Sequence, residues 1–532
     1  MKNSNTLIEA KIYKIWKRVL GINNFSLTDS FLQLGGNSIF AMEILGEIKK
    51  LFQIDLTLNE FLKNSTIEKL AIIVQKQTNI FVKEKVFYHQ NKFYKLSPPQ
   101  KCFTKVGMVK SNNSGCNIIN IFTLNSNYSQ AEILSCIVNI VNQHDSLRLF
   151  FKYRGKELYQ YYFENCKNVP LEFIESTDIT GENEEQFIRN QAHLFVKNKF
   201  LLDKWPLFRI RIYSIKNKTL FFIVAHHLII DGFGLHLFEK NIKNSLVNSE
   251  SKSKENLEIS FLQYKDFSVN CNSLRKKKKL FNEAKHYWET KFSTNFIPTQ
   301  FIGTNYNIVK GESLGWKYKK SINPHLVKKI KAFCISHEIT TFNFFLSSFC
   351  ILVSNILNSN NINILVPTLG RPTHEAMHTI GMFALPVVLR PKLELDNSFK
   401  YITYLLREDL LDAQLHSSYQ LDDLIEFLNI KCNKNKFPIT SIVFNQETKQ
   451  NFINFDNKTA IKHEDTGRNI RFDLQGLIYE NDENIILELI YRKDIFLPKY
   501  IEEALYKHEK IVHYITDNPE IKFSRLTSLF TQ

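Results

Sequence analysis

The chain lacks the patterns that would place it outside the cytoplasm, in a membrane or around a metal. Its eight cysteines, at 102, 116, 136, 166, 271, 334, 350 and 432, are scattered. No Cys-x-x-Cys and no paired His spacing accompanies them, so neither a zinc site nor a disulfide framework is expected. The amino terminus runs Met1-Lys2-Asn3-Ser4-Asn5 and then Leu7-Ile8-Glu9-Ala10-Lys11, without the continuous apolar stretch of a secretory signal. A cytoplasmic location is the expectation. The most apolar long stretch, Thr340 to Leu357, carries Thr, Asn and Ser throughout and falls short of the roughly 20 apolar residues that a spanning helix needs. It reads as a buried core helix, with no membrane role. No short-period repeat is visible.

What is present is core-forming material. Hydrophobic residues make up 44% and charged residues 23% of the 532, which excludes disordered, collagen-like and coiled-coil classes. The length suggests three or four units of about 150 residues, or one large two-lobed domain with a small one. The net charge of +16 invites a nucleic-acid reading. Against it, no zinc spacing, RNP-like aromatic motif or basic helix-turn-helix appears, so no nucleic acid is expected. The first 78 residues hold ten Lys plus Arg against seven Asp plus Glu. The remaining excess has one compact cluster, Arg275 to Lys279, and reads as solvated surface.

Residues 5 to about 77 have helical period. Ile8, Ile12, Ile15, Trp16 and Val19 share a face that stops at Gly21, and a second helix carries Ile39, Met42, Ile44, Leu45 and Ile48. A short piece at Leu56 to Phe61 follows, then a last helix with Ile67, Leu70, Ile73 and Val74, opened by Ser65 or Thr66 with Glu68 in its first turn. Four helices in under eighty residues make one small all-α bundle, 1–78. Residues 79–93 have no sustained period and read as a linker. From 94 to 532, short apolar runs such as Leu220 to Ala225, Ile362 to Val366 and Ile485 to Ile490 alternate with helical segments, the α/β signature. That length exceeds one common core. Two lobes, about 94–270 and 271–532, are expected, with a seam near Asn248 to Glu258 or Arg275 to Lys279.

Two motifs carry chemistry. In Phe31-Leu32-Gln33-Leu34-Gly35-Gly36-Asn37-Ser38-Ile39, two glycines precede a serine at a helix start. The glycines allow a tight turn, and the helix amino terminus favours an attached phosphate. This segment, inside a four-helix unit of matching size, resembles the attachment site of the peptidyl carrier (thiolation) domains of nonribosomal peptide synthetases. The resemblance implies covalent 4′-phosphopantetheine on Ser38, whose thiol holds an aminoacyl or peptidyl thioester. Asn37 stands where many members have His or Asp.

The second motif follows a buried strand: His226-His227-Leu228-Ile229-Ile230-Asp231-Gly232. Side chains alternate in an extended segment, so only one of the two histidines faces the reacting groups. Asp231 can return as an ion-pair partner, and Gly232 permits close backbone approach or a positive φ. The motif resembles the active site of condensation domains, in the chloramphenicol acetyltransferase-like superfamily with its two-lobed, pseudo-dimeric α/β fold. Leu96-Ser97-Pro98-Pro99-Gln100, His144 to Phe150, Tyr264-Lys265-Asp266-Phe267 and Thr379-Ile380-Gly381-Met382-Phe383 agree in order. Cys102-Phe103 replaces the usual basic-aromatic pair. The resemblance makes His227 the reactive histidine, with His226, Asp231 and Gly232 completing the site. It pairs Asp231 with an arginine of the other lobe, Arg371 as first choice and Arg148 as second.

Together the motifs imply an acyltransferase that passes the donor from the arm on Ser38 to an amine, forming an amide bond. A neutral imidazole at His227 can accept the amine's proton or hold the amine in place. The expected partners are a phosphopantetheinyl transferase, an adenylation enzyme acting in trans, and a downstream carrier protein or a free amine as acceptor. No metal is expected. An epimerase domain shares the fold and the His-His-Asp-Gly core, and a catalytically idle platform that recruits other synthetase proteins is the third reading. His236, His286, His374, His378 and His416 have no comparable setting and read as surface or satisfied core residues.

Overall fold

The structure is a computed structural model. It describes residues 2–36, 38–77, 93–105, 114–175, 182–215, 218–248, 262–274, 278–294, 296–301, 314–337, 339–431, 437–447, 464–470, 472–480 and 484–528. The expected linker, all but its last residue, lies outside the described residues, as do the proposed seam from 249 to 258 and the basic residues Arg275 to Lys277.

The amino-terminal bundle consists of α1 (Lys2–Leu20), α2 (Ser38–Phe52), α3 (Leu58–Lys63) and α4 (Ile67–Gln77). The first helix ends at Leu20 because Gly21 adopts φ +69°, the left-handed conformation that terminates helices at little cost in glycine. Thr57 starts α3 with a reciprocal capping box: its side chain accepts from the Glu60 amide and the Glu60 carboxylate accepts from the Thr57 amide. The apolar faces meet on an aromatic centre. Phe31 packs edge-on to Trp16 at 5.4 Å and to Phe61 at 4.9 Å, and all three are fully buried. Removing a ring such as Phe61 would cost about 3–5 kcal/mol.

Among the described residues, the larger part contains three sheets. A four-stranded one runs in the order Asn117–Leu124, Lys218–His226, Phe208–Ile215, Leu171–Glu175. Its second strand is buried from Thr219 onward, because the sheet is covered on both faces. Phe221, Ile223 and Ala225 enter one apolar cluster with the helix Gly232–Asn248, while Leu220, Phe222 and Val224 enter another with the helix Glu182–Lys197. The two-residue period of a strand is thus read out as two separate cores.

A small sheet joins Tyr94–Lys95, Glu157–Tyr162 and Leu149–Arg154. The third has seven strands in the order Leu385–Leu389, Ile364–Thr368, Ile442–Glu447, Leu474–Glu480, Ile485–Arg492, Leu314–Ser321, Glu464–Asn469. The helix Thr341–Leu357 lies against it with twelve buried residues, the core helix expected from its composition.

The two halves exchange segments. Ala376, Ile380, Met382 and Phe383 belong to the core of the first half, and Cys102 belongs to the core of the second. A division of the chain at one point near 270 therefore describes its strands but not its cores.

Candidate active site

His226 is the last residue of its strand and His227 the first beyond it. Strand alternation continues across the pair. His226 follows Val224 to a buried position edge-on to Phe200, and its Nδ1 accepts the Leu228 amide at 3.2 Å. Burial, with His227 beside it, holds the His226 imidazole down at about 3, so it is neutral at physiological pH. His227 turns to the other side and is only partly buried. Its amide donates to the Cys116 carbonyl at 2.8 Å, and its ring lies 5.1 Å from that of Phe103, tilted by 47°. One histidine is locked into the sheet and its neighbour is presented.

The loop after His227 is held by Asp231, which is 2% exposed. Four donors converge on its carboxylate. Oδ1 accepts from the Gly234 amide at 2.7 Å and from Arg371 Nη2 at 3.0 Å, and Oδ2 accepts from the amides of Phe383 and Ala384 at 2.9 and 3.0 Å. A carboxylate so fully bonded is suited to holding the loop's shape. Arg371 is 1% exposed and sits between the rings of Phe233 and Phe383, at 4.5 and 4.3 Å. Its Nη1 donates to the carbonyls of Ala376 and, at 2.6 Å, Thr379. Burial pulls this guanidinium's pKa down, and Asp231 opposes the pull. Arg148, the second choice for the pair, instead donates to the carbonyls of Phe163, Glu164 and Asn142.

The distant sequence segments meet around this loop. Gln100 Nε2 donates to the Leu228 carbonyl at 2.9 Å. Asp145 accepts the amides of Tyr264 and Lys265 at 2.8 and 3.1 Å, and Ser146 donates to the Ile380 carbonyl at 2.7 Å. The Tyr264 hydroxyl lies 2.7 Å from Ser97 Oγ and donates to the Met382 carbonyl at 2.5 Å. Gly381 must be small, since a Cβ there would fall 2.3 Å from the Tyr264 ring. The aromatic cover that Phe103 gives His227 was not foreseen, although the Cys102-Phe103 substitution marked the place. His374 and His378, set aside on sequence, lie where the bundle touches the larger part, with the His374 ring against Gly46.

At the other motif, the turn before α2 is closed by hydrogen bonds from Phe31 to the Ser65 carbonyl and from Gly36 to the Phe31 carbonyl, at 2.7 and 2.9 Å. Gly35 takes φ +80°, and a Cβ on Gly36 would come within 2.5 Å of the Phe31 ring. The two glycines thus deliver the chain tightly over Phe31 to Ser38, the first residue of a 15-residue helix. Such a helix amino terminus, whose dipole favours negative charge, fits a phosphodiester on Ser38. Asn37 lies outside the described residues.

Comparison with known proteins gives two family matches, a Condensation domain over residues 90–532 and a Phosphopantetheine attachment site over residues 10–74. Tyrocidine synthase 2 of Brevibacillus parabrevis is 24% identical over 532 residues, covering 98% of this chain and 14% of that protein. Surfactin synthase subunit 2 of Bacillus subtilis (strain 168) is 24% identical over 534 residues, covering 97% and 14%. The chain spans between 8% and 20% of the length of such curated relatives. Among solved structures, the first condensation domain of the calcium-dependent antibiotic synthetase, in complex with a substrate analogue, matches with a TM-score of 0.66 at 12% identity, covering 82% of this chain and 99% of that one. The X-domain in its complex with OxyB from teicoplanin biosynthesis matches at 0.68 and 13% identity, covering 84% and 98%. These structural likenesses show the fold.

Proposed function

Since the chain belongs to the condensation-domain family and carries a phosphopantetheine attachment domain ahead of that domain, we propose that Ser38 holds the donor and His227 promotes its transfer to an acceptor amine. A carrier followed by a condensation domain is the arrangement of nonribosomal peptide synthetase modules, and amide-bond formation by acyl transfer is the chemistry of the family. The observation that carries the residue assignment is the contrast within the histidine pair: His226 is buried and bonded to the backbone, while His227 stands half-open at the strand end on a loop fixed by Asp231 and Arg371.

When bound to Ser38, phosphopantetheine would supply a thioester whose C–S bond breaks as the acceptor's C–N bond forms. His227 would take the proton that the amine nitrogen must lose, or hold that nitrogen in line for attack, which general-base assistance makes worth about 10²–10⁴-fold. His227 would give up that proton again as the thiol leaves, so none would be gained or lost overall. Phe103 would keep water from one face of the His227 ring, and the Asp231–Arg371 pair would fix the loop's position. A phosphopantetheinyl transferase modifies Ser38 in this reading, an adenylation enzyme in trans provides the donor, and a downstream carrier or a free amine accepts it.

The test loads Ser38 with a labelled acyl-pantetheine, supplies an acceptor amine and follows amide formation. His227→Ala is expected to slow transfer by about 10²–10⁴-fold with loading intact. Transfer at the parent rate by the alanine variant would remove His227 from the chemistry. Deuterium exchange at the donor α-carbon without any acceptor would favour the epimerase reading instead.

A further inference from the structure

Position 46 lies in the interior of α2, where glycine is a poor helix former and alanine would serve the helix better. The reason for glycine is found outside the bundle. A Cβ built at Gly46 meets three atoms of the His374 ring first, at 1.9, 2.3 and 2.6 Å. One turn along the same face, Lys49 forms an ion pair with Glu375 as well as with Asp55 at 2.7 Å. Leu369, Met377, Leu411 and Leu415 of the larger part complete the contact against the bundle's core.

The surface that meets Gly46 is braced. The His374 ring packs edge-on to that of His378 at 4.8 Å, with their Nε2 atoms 3.4 Å apart. The turn that carries both is tied down by Arg371 Nη1 through the carbonyls of Ala376 and Thr379. His374 therefore has little freedom to withdraw from a larger residue at position 46.

We propose that Gly46 and Lys49 are specificity residues through which the condensation domain selects its donor carrier, His374 reading size and Glu375 reading charge. A carrier with a glycine and a lysine three residues apart on this face is admitted, and one with a bulky residue at the first position is refused. The proposal rests on the carrier–condensation reading above, and the arginine that braces the reader is the one that pairs with Asp231 beside the active-site loop.

The test uses the full chain. Gly46→Leu is expected to release the bundle, raising the radius of gyration in X-ray scattering of the unloaded protein, and to slow transfer from Ser38 at least ten-fold. Loading of Ser38 and transfer from a soluble acyl-pantetheine thioester, which needs no docked carrier, are expected at the parent level. Adding His374→Ala should restore both the compact profile and carrier-bound transfer. His374→Trp, which leaves the bundle's own sequence untouched, should reproduce the release should Gly46→Leu fold poorly. Glu375→Ala and Lys49→Ala should each weaken transfer without adding in the double variant. An unchanged scattering profile in both Gly46→Leu and His374→Trp overturns the proposal. Absence of transfer from the soluble donor in the parent overturns the condensation reading instead and leaves the scattering test standing.

Discussion

The start of α2 and the loop after His227 hold their key residues by opposite means. Ser38 is placed chiefly by residues within eight positions of it, a left-handed glycine, a second glycine folded against Phe31 and the first turn of a helix, with one longer tie from the Phe31 amide to the Ser65 carbonyl. His227 is placed by residues from across the chain, with Asp231 bonded to Arg371, Phe383 and Ala384, and Tyr264 joining Ser97 to Met382. On the proposed assignment, the group that must reach several partners is set on a local device at a helix start. On the same assignment, the group that must keep its position during a reaction is set beside a buried polar network.

Removing the two anchors should therefore have unlike consequences. Ser38→Ala is expected to abolish the mass gain on treatment with a phosphopantetheinyl transferase and coenzyme A, a total loss, while changing stability by less than about 0.5 kcal/mol. Intact mass and a urea titration read the two quantities, and any residual mass gain at another residue would end the assignment. Asp231→Ala should do the reverse. It leaves Arg371 charged and buried without its carboxylate, for which the expected loss is about 3–5 kcal/mol. Equilibrium urea unfolding checks it. A loss below 1 kcal/mol would mean that the loop is held without the pair.

The same contrast explains what could be read in advance. The bundle's helices, the stop at Gly21 and the glycine turn before Ser38 are short-range patterns, and they appear in the structure where hydropathy places them, although the short piece expected at Leu56 to Phe61 runs over Leu58–Lys63, behind a Thr57 cap that was not read. The strand to His226 was equally visible as an apolar run, and alternation alone separates the two histidines. The Asp231–Arg371 pair joins positions 140 residues apart. Nothing local specifies such a pairing, and it was reached through family resemblance. The ring of Phe103 on His227, the exchange of residues 376–383 into the other half's core and the seating of Gly46 on His374 were not read at all. Each depends on how separately folded segments stack, and the residues involved look like ordinary core or surface positions until the segments meet.

Acid offers the gentlest way to separate the two regions, because residues 1–78 contain no histidine while the larger part buries several. His226 is held at about 3, and His144 and His508 at about 4, burial being the first cause for each, reinforced by His227 for His226, by Arg371 for His144 and by Lys320 for His508. All three remain neutral in the native state at pH 5. In the unfolded chain each returns to an ordinary value near 6.5 and takes up a proton. The unfolded state thus binds more protons below pH 6.5, and the native state loses stability as pH falls from there toward 4. Each buried histidine contributes at most about 1.4 kcal/mol per pH unit over that window, or roughly 2 kcal/mol between pH 6.5 and 5. Calorimetry at pH 7, 6 and 5 should show the melting of the condensation domain falling while that of the carrier holds. His508→Gln should flatten the fall, since an amide can still bond to Ser348 Oγ, the partner of His508 Nε2 at 3.0 Å, but cannot titrate. Equal slopes in parent and variant would show that His508 is charged inside the native protein, and a carrier transition that falls in parallel would show that the two units unfold as one.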